Sequence, residues 1–431
     1  MTVTYAWESI ADDRSIELAT SMATGPSGLV DSPHFFSGFV VDAEECARGI
    51  LAVANVAATS YYSRIDWSSL DPVVTSDGER LRFESFSGCG GVYARFDLTS
   101  LDGELGELGT TNIDVNPPLR HALSTIRSGE PLHLSVGRDA VTATTKTETH
   151  VERKVKLPDR WVRGFGEASV ACATMHPLAE LGAIDALRFL RSLPPNGRRI
   201  WVVPSGRTLR LSATASAGAV YLDGAHRLAE LLPLLRFTTA LRIYGPTDGG
   251  SEPRSSAWQL VLPTAHLTLV LSPDVARGFS GEGGVLRDLA TGDAHDADAV
   301  LDVLAWTPGA GSAELALALG WDEPRVRRTL TRLGTSGRVG FDNADGRFFH
   351  RDLPYDADKA ARRNPRLVAA QRLVEEGAIT LENEAATVRS GASTYRLRRT
   401  DGGWLCGCDW GLRHGTSRGP CKHGLAVELS A

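Results

Sequence analysis

The sequence predicts an α+β protein built from several units. Three observations lead there. Between about residues 30 and 275, strand-like and helix-like segments recur four times in the same order. From Ala297 the pattern changes to short helices followed by a hairpin. From Trp404 onward, three of the six cysteines gather beside a histidine. A length of 431 residues suffices for two to four domains. Hydrophobic content of 42% and charged content of 23% are those of an ordinary soluble chain. There is no long apolar run and no signal-peptide pattern, so the expectation is a cytoplasmic protein with no membrane partner. Only five of the 46 basic residues are lysines, which points to a GC-rich bacterial gene.

Residues 1–30 are weakly patterned. Phe35-Phe-Ser-Gly-Phe-Val-Val is strand-like. Asp42 then suits an N-cap, and Cys46, Ala47, Ile50, Leu51, Val53, Ala54 and Ala57 recur at helical spacing to about Ser60. Leu81–Phe86 and Val92–Leu98 alternate with period two. In the second round, Thr111–Val115 is strand-like. Asn116-Pro-Pro opens a helix with Leu119, Ala122, Leu123 and Ile126 on one stripe. Leu132–Val136, Ala140–Thr144 and Val151–Leu157 are three more strands. The third round reads as extended from Val162 to Met175. A helix carrying Leu178, Leu181, Ile184, Leu187, Leu190 and Leu193 follows, then a hairpin around Pro204-Ser-Gly206. In the fourth, strand Val220–Leu222 precedes a helix with Leu228, Leu231, Leu232 and Leu235, then strands at Leu241, Trp258 and His266.

This order describes two pseudo-duplicated domains, 1–160 and 161–290, and it is similar to the DNA sliding-clamp fold. The segment from Ile113-Asp-Val-Asn-Pro-Pro through His133-Leu-Ser-Val-Gly-Arg-Asp carries the resemblance best. In such a fold the helices line the inner face of a ring. Arg120, Arg127, Arg188, Arg191, Arg227 and Arg236 lie on the candidate helices, either for that purpose or as ordinary solvated residues.

A Gly/Ala/Asp linker spans Asp288 to Asp298, and its acidic residues suit the start of a helix better than a metal site. Over 296–352, Val300, Leu301, Val303 and Leu304 mark a first helix. Ser312 is placed as the cap of a second, and Asp322 as the cap of a third with Pro324 in its first turn. Arg338-Val-Gly-Phe and Arg347-Phe-Phe-His then form a hairpin. This segment resembles a winged helix-turn-helix. Arg325, Arg328 and Arg332 share the face of the third helix that would meet a major groove, although many winged helices bind protein instead.

Residues 360–431 comprise a helix that follows Asn364-Pro and runs to about Glu376, with Leu367, Ala370 and Leu373 as its packing face, and the pattern C-x-C, twelve residues, C-x-H. Cys406, Cys408, Cys421 and His423 supply three thiolates and one imidazole, a closed set for tetrahedral Zn²⁺. Residues i and i+2 of an extended chain point to one side, so Cys406 and Cys408 converge. Gly411, Gly415 and Gly419 let the loop fold back. His414 is a spare candidate ligand. Arg413, Arg418 and Lys422 surround the negative charge that three thiolates leave on zinc. This stretch, from Ser393 to Leu429, resembles the SWIM zinc finger family. The resemblance implies a strand–strand–helix module that binds DNA or protein through a structural zinc.

The net charge of −6 carries no global nucleic-acid signature, but it is uneven. Twelve Lys/Arg against six Asp/Glu lie between Lys359 and His423, which is +6 and leaves −12 for the rest. The P-loop, the zincin helix, the hydrolase elbow and the dinucleotide glycine pattern are all missing from the sequence, and Gly88-Cys-Gly-Gly91 reads as a turn. The expectation is therefore a non-enzymatic zinc protein binding nucleic acid, DNA rather than RNA. Arg325, Arg328, Arg332, Arg413, Arg418 and Lys422 would be its contacts. The alternative is a protein–protein scaffold, an accessory subunit of a MoxR-type AAA+ ATPase system. Two clamp-like domains cannot close a ring alone, and the C-terminal extension favours a monomer or a hetero-complex subunit. Light scattering at micromolar concentration should report a monomer, and a stable trimer would contradict that expectation.

Overall fold

The computed structural model of the chain describes 10–11, 16–17, 23–25, 28–30, 34–62, 72–106, 108–137, 140–154, 159–195, 199–247, 252–275, 278–279, 288, 295–304, 307–351, 365–400, 403–415 and 419–430. The first four pieces form two small antiparallel hairpins.

Asp42 accepts a hydrogen bond from the Glu45 amide at 3.0 Å and so starts α1 (Ala43–Ala58) directly after β1 (His34–Val40). Strands β2 (Val73–Ser76), β3 (Leu81–Phe86), β4 (Val92–Leu98), β5 (Leu101–Leu105) and β6 (Gly109–Asn112) follow. Asn116 caps α2 (Pro117–Thr125), and β7 (His133–Gly137), β8 (Ala140–Thr144) and β9 (Thr149–Arg153) end the first half. After α3 (Asp159–Ala173), the second half runs β10 (His176–Gly182), α4 (Ala183–Ser192), β11 (Arg199–Ser205), β12 (Thr208–Ser212) and β13 (Val220–Asp223). A 3-10 helix (Ala225–Leu234) leads to β14 (Ala240–Gly245), β15 (Ser256–Val261) and β16 (Ala265–Leu271).

One connectivity occurs twice. The opening strand of each half joins its last three, as β1-β7-β8-β9 and as β10-β14-β15-β16. The strand before each second helix flanks the first strand after the first helix, as β6-β2-β3 and as β13-β11-β12. Antiparallel pairing of β16 with β4 fuses parts of both halves into one eight-stranded sheet, β6-β2-β3-β4-β16-β15-β14-β10. Helices α1, α2, α4 and the 3-10 helix share the main core with one face of this sheet.

Three sequence expectations about the two clamp-like halves are corrected. The stretch from Val162 to Met175 is not extended: Val162 to Ala173 lies in α3. Trp161, Phe165, Ala168 and Cys172 recur at helical spacing and are buried, while glycines at 164 and 166 obscured the stripe. Gly166 is needed because a Cβ there would lie 2.3 Å from the Thr335 Cα. The helix expected from Leu178 begins only at Ala183. Leu178 and Leu181 belong to β10, where a register shift between Pro177 and Ala179 breaks the alternation. The helix around Leu228 to Leu235 is 3-10 and contains Pro233, which cannot donate a helical hydrogen bond. Its Arg227 is fully buried and donates to the carbonyls of Asp223, Gly91 and Ser272 at 2.7–3.0 Å, so it lines no ring. Arg236 of the same candidate set pairs with Glu44, and Arg120 donates to Asn55 at 2.9 Å.

The C-terminal half continues with α5 (Asp296–Leu304), α6 (Ser312–Leu319), α7 (Glu323–Thr335), and a hairpin of β17 (Val339–Asp342) and β18 (Arg347–His350). Gly311, not Ser312, is the N-cap residue of α6, and the Glu314 carboxylate accepts from its amide at 3.1 Å. Asp322 caps α7 as expected, accepting from the Arg325 amide at 2.7 Å. These elements and α3 build a second core against the other face of the eight-stranded sheet.

Alternation along β3 and β4 divides the two cores. Leu81, Phe83, Val92, Ala94, Phe96 and Leu98 face α1, whereas Arg82, Glu84, Arg95 and Asp97 point the other way and are nonetheless buried. The β17–β18 hairpin covers them. Arg95 reaches Asp97 at 2.7 Å and Asp342 at 2.8 Å, and Arg82 contacts Asp77 and lies 2.9 Å from Asp97. The Arg351 Nε donates to Glu84 at 3.0 Å, and Tyr93 donates to the same carboxylate. The Arg82 guanidinium sits 4.0 Å over the Phe349 ring.

Burial alone would raise the Asp342 pKa, but Arg95 and Arg82 overcome it and hold the carboxyl well below the usual carboxylate range. Its stabilisation is thus complete above about pH 4 and is lost only as pH falls further, through the depressed folded-state value. Asp342→Ala leaves the two buried arginines with only Asp77 and Asp97 between them and should cost about 3–5 kcal/mol in urea unfolding at pH 7. A loss under about 1 kcal/mol would mean that the cluster does not hold the hairpin to the sheet.

Candidate metal centre

The C-terminal module has a core of its own. Helix α8 (Pro365–Glu375) leads into an antiparallel sheet of β19 (Ile379–Glu382), β20 (Ala385–Ser390), β21 (Ser393–Thr400) and β22 (Gly403–Cys406), in that order. Two short helices follow, α9 (Asp409–His414) and α10 (Lys422–Ser430). The sequence pointed to β21 and missed β19 and β20. Ala385-Ala-Thr-Val-Arg alternates weakly, and a small residue is enough on a face packed by helices.

Cys406 ends β22 and Cys408 opens α9. Cys421 and His423 bracket the start of α10. All four are buried, and their donor atoms lie within 4.8 Å of one another. The His423 Nδ1 is 3.6 Å from the Cys406 sulfur and 4.0 Å from the Cys421 sulfur. Tetrahedral zinc with sulfur and nitrogen ligands requires donor separations of about 3.5–3.8 Å, which this cluster approaches. The four residues therefore fit zinc.

The surroundings are also those of a thiolate site. The amide of Gly411 donates to the Cys408 sulfur at 3.4 Å, and that of Gly424 to the Cys421 sulfur at 3.3 Å. Cys421 is held below the ordinary thiol range, first by its hydrogen bond with Cys406. The His423 ring stacks on Tyr395 with centroids 4.2 Å apart. Gly411 is required at its position, since a Cβ would lie 2.0 Å from the Cys406 carbonyl oxygen. Gly415 and Gly419 both have positive φ where the loop turns back. Arg366 of α8 clasps the loop, stacking over Trp410 at 4.1 Å and donating to the Pro420 carbonyl at 3.3 Å. His414 is not part of the cluster; its ring packs on Trp410.

The expected cation set is dispersed. Arg413 is exposed on α9, Lys422 is half-buried at the start of α10, and Arg418 lies outside the described residues. Arg325, Arg328 and Arg332 are on α7, which packs between α3 and the pair α5 and α6. Arg325 grips Asp296 through two bonds of 2.7 and 2.8 Å and stacks over Trp321 at 4.0 Å. Sequence reasoning did not single out Arg389, Arg396 and Arg398, which the structure places together on the open face of the module's sheet. Alternation in Thr394-Tyr-Arg-Leu-Arg-Arg was the signal that could have found two of them.

No protein-family model matches this sequence, and no curated protein matches it. Among solved structures, the chain is similar over 56% of its length to Proliferating Cellular Nuclear Antigen from Entamoeba histolytica, with TM-score 0.36, 11% identity and 99% of that chain covered. It is similar over the same share to a DnaN sliding clamp, DNA polymerase III subunit beta, from Pseudomonas aeruginosa bound to griselimycin, with TM-score 0.34, 12% identity and 65% of that chain covered. Among the described residues no helix is long and apolar enough to cross a membrane.

Metal analysis of the purified protein should find one zinc per chain. A Cys406→Ser, Cys421→Ser double variant should lose it, and 365–430 should become protease-sensitive while the unfolding transition of the remainder persists. Full zinc content in that variant would refute the ligand set.

Proposed function

We propose that this chain is a non-enzymatic zinc protein that binds nucleic acid, DNA rather than RNA, through its C-terminal module, with the clamp-like body as an assembly platform. The closed donor set carries this reading. Three cysteines and one histidine fill all four positions, so zinc here holds a shape and has no site left for an activated water. On this reading 393–429 is a SWIM module and 296–352 a winged helix, and the units divide at 1–160, 161–290, 296–352 and 360–431. With α7 packed against α3 and Arg325 engaged by Asp296, the nucleic-acid contact falls to the zinc module, where Arg413 and Lys422 flank the ligands.

A second reading, a protein scaffold of the kind that serves a MoxR-type ATPase system, is favoured by two apolar side chains left in solvent. Leu317 of α6 is 86% exposed and Leu412 of α9 is 75% exposed.

Fluorescence anisotropy with labelled duplex DNA at low salt tests the first reading. Binding should appear, weaken steeply as salt rises, and disappear when a chelator removes the zinc. If duplex DNA, single-stranded DNA and RNA all fail to bind at low salt, the scaffold reading replaces it.

A further inference from the structure

The four-stranded sheet of the zinc module is covered on one side only. Ala386, Val388, Leu397 and Cys406 face α8 and α10 and belong to the module's core. The opposite face has no covering element among the described residues. Period-two alternation places Arg396 and Arg398 of β21 there, on either side of buried Leu397. Arg389 of β20 is in register with Thr394, and Thr387 with Arg396, so Arg389 and both threonines share that face. Leu405 of β22 lies opposite Arg398.

All three arginines are exposed. Among the described residues none has a carboxylate partner, whereas Arg325 of α7 and Arg372 of α8 do. Glu382 on edge strand β19 stands on the same face, in register with Ala385, which pairs with Arg398 on its other side. Residues two apart on a strand are separated by about 6.8 Å and diagonal cross-strand neighbours by about 7–8 Å. The three guanidinium groups thus form one patch reaching along neighbouring anionic groups. The patch sits on a chain whose net charge is −6, so it is a local reversal of the overall field.

We propose that this open sheet face binds the phosphate backbone of duplex DNA without reading its sequence. The inference rests on the nucleic-acid reading above and names its surface. Exposed guanidinium groups flanked by hydroxyls suit phosphate oxygens. Single strands are held by stacking bases on aromatic rings. Here the sheet's two aromatic side chains are turned inward, Tyr395 onto His423 and Trp404 into the core. Without a stacking platform, the rigid phosphate ridges of a duplex are the better-matched occupant.

The test uses the full-length, zinc-loaded protein and a labelled duplex of random sequence. Arg389→Ala, Arg396→Ala, Arg398→Ala together should weaken binding about tenfold or more, and lower the slope of log affinity against log salt by about three. Zinc content and melting temperature should stay at wild-type values. The triple Arg→Lys variant should keep the wild-type slope, because counterion release depends on charge. A folded triple Ala variant that binds within about twofold of wild type, with the same slope, overturns this inference and leaves the nucleic-acid reading standing. Wild type that binds no nucleic acid overturns both. Tighter binding of a single strand of equal length, or binding of polyaspartate but not duplex, overturns the assignment of the occupant.

Discussion

The organisation of the chain depends on a cluster of buried charges between the eight-stranded sheet and the β17–β18 hairpin. Arg82, Glu84, Arg95 and Asp97 occupy alternate positions on two neighbouring central strands, where water would normally solvate them. They are instead closed over by Asp342 and Arg351 from a hairpin more than two hundred residues later. Charges buried in this way are tolerable only when every one is paired, so sheet and hairpin require each other. The hairpin brings α7 with it, α7 packs on α3, and α3 covers the aromatic part of the same sheet face through Trp161 and Phe165. The helix that the sequence offered for a DNA groove thus packs one side on α3, while Arg327 stays exposed and Arg325, Arg328 and Arg332 half-exposed.

The C-terminal module follows a different logic. Its core is small: one sheet face, two helices and the four candidate ligands. Few apolar side chains are available, and a metal held by the four residues would tie β22, α9 and α10 together and supply what a larger core would. Because helices cover only one side of the sheet, the other remains open, and its arginines are not used in internal pairs. Elsewhere several arginines are used internally, Arg227 on carbonyls, Arg236 on Glu44 and Arg351 on Glu84, while Arg127, Arg191, Arg207 and Arg210 stand exposed.

The sequence by itself determined whatever rests on local chemistry. Asp42, Asn116 and Asp322 act as caps because a carboxylate or amide beside a starting helix satisfies free amides whatever lies around it. Cys406, Cys408, Cys421 and His423 were legible because ligand type and spacing nearly dictate the donor geometry. Outside the third round, much of the strand–helix order of the body was legible from its periodicity. Tertiary structure alone decided the rest. It made a helix of 159–173, where two glycines hid the stripe and one of them, Gly166, allows close approach to Thr335. It made a bulged strand of 176–182, whose leucines keep helical spacing but pair with β14. It set which polar alternations face water and which face a partner: Arg82 and Arg95 are buried, Arg396 and Arg398 exposed, though all four sit in strands of the same alternating pattern. A period of two tells only that a residue lies on one side of a sheet, and what covers that side is a long-range contact that no local pattern encodes.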